Sequence, residues 1–496
     1  MNYKQYYQSF GLTDFPFNTF TTENEIHVAN EIFVSQGEYD PIFDSFKKGR
    51  NSIILGERGI GKTATLEDFK RYLDNENKIY TIINDFSQVS EKPKDNEIYK
   101  LIISNFIVEL LSKVGSKPLK LLKLNKEDRT ILSYFLSTFV PPVSLNTLKD
   151  KVSSIQLRPW VKLGNRVYNI IRNPLNMTAT LAQNVTYQYL LKHFSSLPPI
   201  ENDAQIQQYF PELKLNVEYN FFDQEISLRL LKKLGEISNK LGYNKPTVLL
   251  DRLDEDGRFE NDADKISKFI TPLLTNNNLL SISDFQVVIF VWSTPFRFIS
   301  DKVRSQKYYC PSLSWRKEDL EELLNLRLSF YSQNKLKDYK ILLYNEIKDE
   351  DVDEIFELSN FNPRDLIHMF KILFEEQFNL DNSKSKIGLE ALKKGLKRYV
   401  LTFNYYEYYP RKSNARANSM DVYSYASHLL KLDSIEFSKN KLNESTGIGS
   451  SIHNYVVSME KIGLIQNVGQ DKGYVTYKIK DPKIIYCLRN GYELKK

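Results

Sequence analysis

An α/β core, with a parallel sheet flanked by helices, is what this chain specifies, and three stretches carry that expectation. Asn51-Ser52-Ile53-Ile54-Leu55 is a short apolar run entering Gly56-Glu57-Arg58-Gly59-Ile60-Gly61-Lys62-Thr63, and Lys62 to Leu73 follow with helical spacing. Pro246 to Leu250 is a second apolar run, ending in Asp251-Arg252-Leu253-Asp254-Glu255. Asp284 to Trp292 is a third, closed by Ser293-Thr294-Pro295. Uninterrupted apolar runs of this length suit strands covered on both faces, as the strands of parallel sheets are.

The first stretch fits every fixed position of G-x-x-x-x-G-K-[ST], and strand, loop and helix come in the order that pattern needs. Glycines let successive backbone N–H groups curl around a polyphosphate, Lys62 reaches its outer oxygens, and the Thr63 hydroxyl ligates Mg²⁺. The expected contact set is therefore Gly56, Glu57, Arg58, Gly59, Ile60, Gly61, Lys62, Thr63 and Ala64, with the dipole of the following helix aimed at the phosphates.

The second stretch supplies acids. Asp251, at the carboxyl end of its strand, joins Thr63 as a holder of Mg²⁺, and Glu255, or Asp254 in its place, polarises an attacking water. Without the loop, the same residues would read as a strand followed by an acidic turn. In the third stretch Ser293 and Thr294 form a polar strand tip that resembles the one that senses the terminal phosphate in additional-strand P-loop ATPases; strand capping is the plainer alternative. Arg297 and Arg304 follow where a neighbouring subunit's site could receive an arginine finger, which neutralises charge developing on a transferred phosphoryl group. Arg316 to Ser332 reads as a helix. Asn362-Pro363-Arg364 reads as the capped start of another, from which Arg364 could reach over the nucleotide.

Taken together these residues resemble an AAA+/STAND-type P-loop ATPase. The match consists of G-E-R-G-I-G-K-T, V-L-L-D-R-L-D-E, V-V-I-F-V-W-S-T and N-P-R-D-L-I. The D-x-x-D-E acids resemble STAND and NACHT-like switch ATPases more than ordinary AAA+ motors. Phe10-Gly11-Leu12 to Asn18, with Tyr39-Asp40-Pro41-Ile42, is similar to origin-recognition ATPases and related bacterial proteins. The resemblance covers about residues 36–75 and 245–400. It implies a P-loop NTPase core, a helical lid, a C-terminal winged helix, ATP and Mg²⁺ as cofactors, and function carried by Lys62, Thr63, Asp251, Glu255 and Arg364. One departure is large: 188 positions separate Thr63 from Asp251, where two βα units need roughly 60.

That gap predicts an insertion. Tyr80 to Asp85 provides one intervening strand, and 95–222 a mainly helical, basic insertion. Between 113 and 172 twelve Lys/Arg face three acids, in a chain whose net charge is +6. Such an excess attracts phosphate backbones or an acidic protein surface, and equally describes solvated helix faces. The expected division is 1–94 for the N-terminal segment and first part of the core, 95–222 for the insertion, 223–315 for the second part of the core, 316–400 for the lid, and 401–496 for a linker and winged-helix domain.

In the last unit Lys439 to Thr446 and Ser450 to Ile462 read as helices around Gly447-Ile448-Gly449, and Ile465 to Val468 and Tyr474 to Ile479 as paired strands. This is a helix-turn-helix with a wing. Its second helix has one lysine and no arginine, so protein docking or autoinhibition competes with DNA binding through Asn454, Tyr455 and Lys472. The tyrosines from Tyr399 to Tyr409 suit packing between domains better than stacking on bases.

Composition narrows the rest. Of 496 residues 41% are hydrophobic and 26% charged, as in ordinary globular chains. No apolar run reaches the ~18 residues of a membrane span, Cys310 and Cys487 make no disulfide framework, and the first residues lack a signal peptide's apolar core. The expectation is a cytoplasmic protein with no membrane partner. The leading function is a nucleotide-driven switch ATPase that forms homo-oligomers and signals to a partner effector protein; the resemblance suggests a bacterial anti-phage defence system. The alternative is a DNA-transaction ATPase that grips nucleic acid through the winged helix and Lys120, Lys123, Arg158 and Arg166. A scaffold that keeps its nucleotide as structure is a third reading.

Overall fold

The computed structural model describes residues 1–20, 22–25, 28, 31–115, 118–139, 224–411, 421–471 and 473–494. Most of the basic stretch, including Arg158 and Arg166, lies outside them, as does Lys472.

After helices α1 (Tyr3–Ser9) and α2 (Tyr39–Lys47), the chain builds β1 (Ser52–Gly56), α3 (Lys62–Asn75) and β2 (Tyr80–Ile83). Helices α4 (Asp95–Gly115), α5 (Lys126–Phe139) and α6 (Gln224–Lys240) precede β3 (Thr247–Leu250), and α7 (Ala263–Thr275) precedes β4 (Gln286–Trp292). The four strands form one parallel sheet in the order β1-β4-β3-β2. Residues 309–312 run parallel along the outer edge of β1, with Ile53 N donating to Tyr309 O at 2.9 Å and Leu55 N to Pro311 O at 2.9 Å. The register sets Gly56 level with Trp292 and Leu250 level with Ile289. The carboxyl ends of β1, β4 and β3 therefore share one edge. With β4 between β1 and β3, the parallel sheet and its flanking helices fit a P-loop core.

All of β3 and β4 is buried, and each fully covered Val, Leu or Ile contributes roughly 1.5–3 kcal/mol. Helices on both faces provide that cover. Phe46 of α2 stacks on Phe69 of α3, ring centres 3.8 Å apart, and both lie in a cluster with Leu249 and Phe290. On the other face Ile98, Ile102, Phe106 and Leu110 of α4 pack in one cluster with Ile83, Leu250 and Ile289.

α4 opens the span expected as an insertion, 95–222, and lies on that second face of the sheet. It is apolar and buried nearly all round, as a helix inside a core is. The spacing between Thr63 and Asp251 reveals surplus length and says nothing of where core helices end. Asp128 of α5, itself buried, accepts from Lys240 Nζ at 2.6 Å and pairs with Lys233 Nζ at 3.0 Å, joining α5 to α6.

Beyond β4 come α8 (Ser293–Arg297), α9 (Lys317–Tyr331), α10 (Asp349–Leu358), α11 (Pro363–Leu380) and α12 (Leu389–Thr402). Then follow α13 (Val422–Leu429), β5 (Glu436–Ser438), α14 (Lys439–Thr446), α15 (Ile452–Lys461), β6 (Ile465–Asp471), β7 (Tyr474–Ile479) and α16 (Pro482–Asn490). β5, β7 and β6 form an antiparallel sheet in that order. Residues 3–17 pack with 320–400, as where Phe17 stacks on Phe370 of α11 at 5.2 Å, so the N-terminal segment belongs with these helices and not with the sheet. The same cluster continues through Tyr399, Phe403, Tyr405, Tyr408 and Tyr409, all buried, into residues 422–487. Tyr399 Oη donates to Asp365 at 2.7 Å and Tyr409 Oη to Asp481 at 2.8 Å. These tyrosines are packed between helical units.

Candidate functional site

The loop between β1 and α3 turns through left-handed backbone at Gly59 (φ +79°) and Gly61 (φ +100°), where a side chain is strained. Space excludes one too: a Cβ on Gly59 would lie 2.7 Å from Asn362 Oδ1. Gly61 is the N-cap of α3 and has no side chain to occupy the helix's first N–H groups, which leaves them and the positive end of the dipole for an external anion.

Lys62 opens α3 and its Nζ donates to Gly56 O and Glu57 O, both at 3.0 Å. Burial lowers its pKa, opposed by the charges of Asp254, Asp251 and Glu57. Thr63 Oγ1 donates to Asp251 Oδ2 at 3.2 Å, so the two half-sites separated by 188 positions meet. Asp251 is buried, and desolvation holds its carboxyl above the ordinary carboxylate range, against the Arg252 N–H and the charge of Lys62. A buried, under-compensated carboxylate beside a hydroxyl is a pair of hard oxygen donors of the kind Mg²⁺ takes. The pair fits that ion, which Thr63 and Asp251 would hold.

After Asp251 the chain turns at Arg252, whose φ of +59° is rare outside glycine. Asp254 is buried and receives Arg58 Nε at 2.8 Å, while the Arg58 guanidinium lies 3.9 Å from the Trp292 ring centre. Glu255 is exposed, 3.7 Å from Arg252 Nε. The two acids left open by the sequence thus differ: Asp254 is held by the loop, and Glu255 faces outward.

The tip of β4 reaches the loop through one carboxylate. Glu57 Oε2 accepts from Trp292 Nε1 at 2.9 Å and Thr294 Oγ1 at 3.2 Å, and Glu57 Oε1 pairs with Arg297. Ser293 opens α8 beside Thr294. Arg297 is engaged within its own chain, whereas Arg304 is exposed. Arg364, in the first turn of α11, lines a cavity of about 110 Å³ together with Gly59 and Gly61. Phe20, Val34, Trp315, Pro363 and Ile367 supply its apolar wall.

Three side chains that sequence reasoning gave no role at the site hold loop carbonyls. Trp315 Nε1 donates to Ile60 O at 2.8 Å, Gln36 Nε2 to the same oxygen at 3.5 Å, and Asn362 Nδ2 to Arg58 O at 2.7 Å. Asn362 was legible only as a cap, which it is: its Oδ1 accepts from Arg364 N at 3.0 Å. No local pattern marks a side chain that reaches the loop from elsewhere in the chain, 24 positions away for Gln36, 255 for Trp315 and 304 for Asn362.

No protein-family model matches the sequence, and no curated protein matches it. Among solved structures the chain is similar to Cdc6p from Pyrobaculum aerophilum, with 11% identity, 98% of each chain covered and a TM-score of 0.30. It is also similar to the ORC2 protein of Aeropyrum pernix in its ADP form, with 12% identity, 92% of this chain and 93% of that chain covered, and a TM-score of 0.37. Likeness at this level adds nothing to what strand order and loop geometry establish for this chain.

Proposed function

We propose that the chain binds ATP with Mg²⁺ on the loop 56–63 and hydrolyses it as a conformational switch. The observation that carries this reading is the 3.2 Å contact of Thr63 with Asp251 at the shared edge of β1 and β3. Lys62 and the first N–H groups of α3 take the phosphates, and bound Mg²⁺ neutralises charge on the phosphoryl oxygens. Glu255 is the general base, since Asp254 is held by Arg58. Thr294 senses the state of the loop through Glu57, with Ser293 beside it. The cavity between residues 19–36, the loop and α11 takes the base, with Arg364 at its rim. We take 316–400 as the lid and 421–494 as a winged-helix module.

Assembly into oligomers, with exposed Arg304 as the residue given to a neighbour, belongs to the same reading. An effector partner and a place in phage defence rest on the sequence resemblance alone. The test is calorimetric titration with ATP, with and without Mg²⁺, beside phosphate release. Saturable, Mg²⁺-dependent binding abolished by Lys62→Ala is expected; equal binding by the variant overturns the assignment.

The second reading, duplex DNA binding, is supported by exposed His453 and Asn454 on α15 beside the β6–β7 hairpin. It requires an affinity for duplex that falls steeply with salt. Salt-independent or undetectable binding removes it.

No helix among the described residues is long and apolar enough to cross a membrane.

A further inference from the structure

We infer that Glu57 and Arg297 are positioning residues that couple occupancy of the phosphate loop to the docking of the C-terminal module, so that a bound triphosphate loosens the module and a docked module weakens nucleotide binding. The inference rests on the nucleotide reading and names the route by which that site is regulated.

Glu57 sits inside the loop, and its carboxylate engages three donors beyond it: Trp292, Thr294 and Arg297. Arg297 spans two units. One arm of its guanidinium pairs with Glu57, and Nη1 lies 3.5 Å from the carbonyl of Ile462, just past the end of α15. Gly463 makes this approach possible: its φ is +82°, and a Cβ there would collide with Arg297 Nη1. Around this point the module rests on the core. Lys461 Nζ lies 3.8 Å from the Phe298 ring centre and 3.6 Å from Asp264. The linker adds Asn261 Nδ2 donating to Tyr406 O at 2.9 Å and Arg411 N to Asn261 O at 2.9 Å.

The direction of coupling follows from Lys62. Its ammonium binds the carbonyls of Gly56 and Glu57, which fixes the backbone of the residue that holds Arg297. A polyphosphate competes for those same protons. Once Lys62 turns to phosphate, the Glu57 backbone loses its tether and fresh negative charge stands beside the loop, drawing the guanidinium from the Ile462 carbonyl. By linkage, nucleotide and docking weaken each other by one common factor, so a change that undocks the module from its own side tightens nucleotide binding by up to that factor.

The experiment uses the full chain, with Mg²⁺·ATPγS as the probe in calorimetry and hydrogen exchange followed on the segment 459–465. In the wild type the probe is expected to speed exchange there by about fivefold or more. Lys461→Ala, a surface change remote from the loop, is expected to speed the same exchange without nucleotide and to tighten the Kd for the probe about threefold or more, within the usual range of coupling factors. Arg297→Gln is expected to do both, entering from the core side. Exchange at 459–465 that ignores the probe overturns the relay. So does a Lys461→Ala variant whose segment loosens while its Kd stays at the wild-type value. A wild-type chain that never binds the probe sinks the nucleotide reading itself, and is told apart because no Kd is then measurable for any variant.

Discussion

Asn362 offers a perturbation whose size can be worked from two bonds of one buried side chain. Its Oδ1 caps α11 through Arg364 N at 3.0 Å, and its Nδ2 holds Arg58 O in the loop at 2.7 Å. Asn362→Ala removes both. Loss of the cap costs about 1 kcal/mol, and a part-buried carbonyl left without its donor costs about 1 kcal/mol. Asn362→Ser keeps a capping oxygen but cannot reach the loop, so it isolates the second term. If the bond to Arg58 shapes the loop for phosphate, both variants should bind Mg²⁺·ATP about five- to tenfold more weakly, since 1.4 kcal/mol is tenfold. Only the alanine should also speed hydrogen exchange in the first turn of α11. Gly59→Ala attacks the same contact from the other side, because its Cβ would meet Asn362 Oδ1 at 2.7 Å, and should weaken binding too. Calorimetric titration and exchange over residues 363–370 read the two terms separately. Wild-type affinity in both Asn362 variants, with only helix exchange altered, would refute the link between lid and loop.

Three further outcomes are expected. Asp251→Asn should raise the melting temperature without Mg²⁺, because it replaces a carboxylate disfavoured by desolvation with a neutral amide; it should also erase stabilisation by Mg²⁺, and a lower melting point would show Asp251 to be structurally compensated. Glu255→Gln should leave nucleotide binding intact and slow phosphate release by about 10²–10⁴-fold, whereas normal turnover would move the base to another residue. Arg327→Leu should cost about 3–5 kcal/mol in urea unfolding, since it strands Glu25, whose oxygens take Arg327 Nη1 and Nη2 at 2.7 Å; a change under about 1 kcal/mol would mean the pair contributes little.

What could be read from the sequence was whatever local chemistry dictates. The loop residues, the acid at the end of β3 and the polar tip of β4 each follow from a short apolar run and the residue that ends it, and Asn362-Pro363 announces its helix by capping alone. What could not be read depends on long-range packing. α4 looks like the start of an insertion because its length overshoots a βα unit, while the burial of Ile102 and Phe106 that makes it core is a property of the folded sheet. Tyr6, Phe10 and Phe17 precede the core in the chain, yet pack on helix α11 more than 350 positions later. Arg297 reads as an outward-facing arginine until Glu57, 240 positions away, is seen to hold it.

Sheet order explains why the surplus residues between Thr63 and Asp251 leave the site whole. β2 occupies the far edge of the sheet, beyond β3, and the residues of the site hang from the carboxyl ends of β1, β4 and β3. Chain length added between β2 and β3 leaves and re-enters through α4, α5 and α6 on one face, where Asp128 pins α5 to α6. None of the described residues of that excursion lies between β1, β4 and β3, whose mutual register brings Gly56, Trp292 and Asp251 to one edge. Additions on the other side of the site behave differently. The segment after β4 carries Thr294 and Arg297 within a few residues of the sheet, and both bind Glu57. Changes of length there would displace the side chains that hold the loop. The span from Trp292 to Arg297 is thus fixed by geometry.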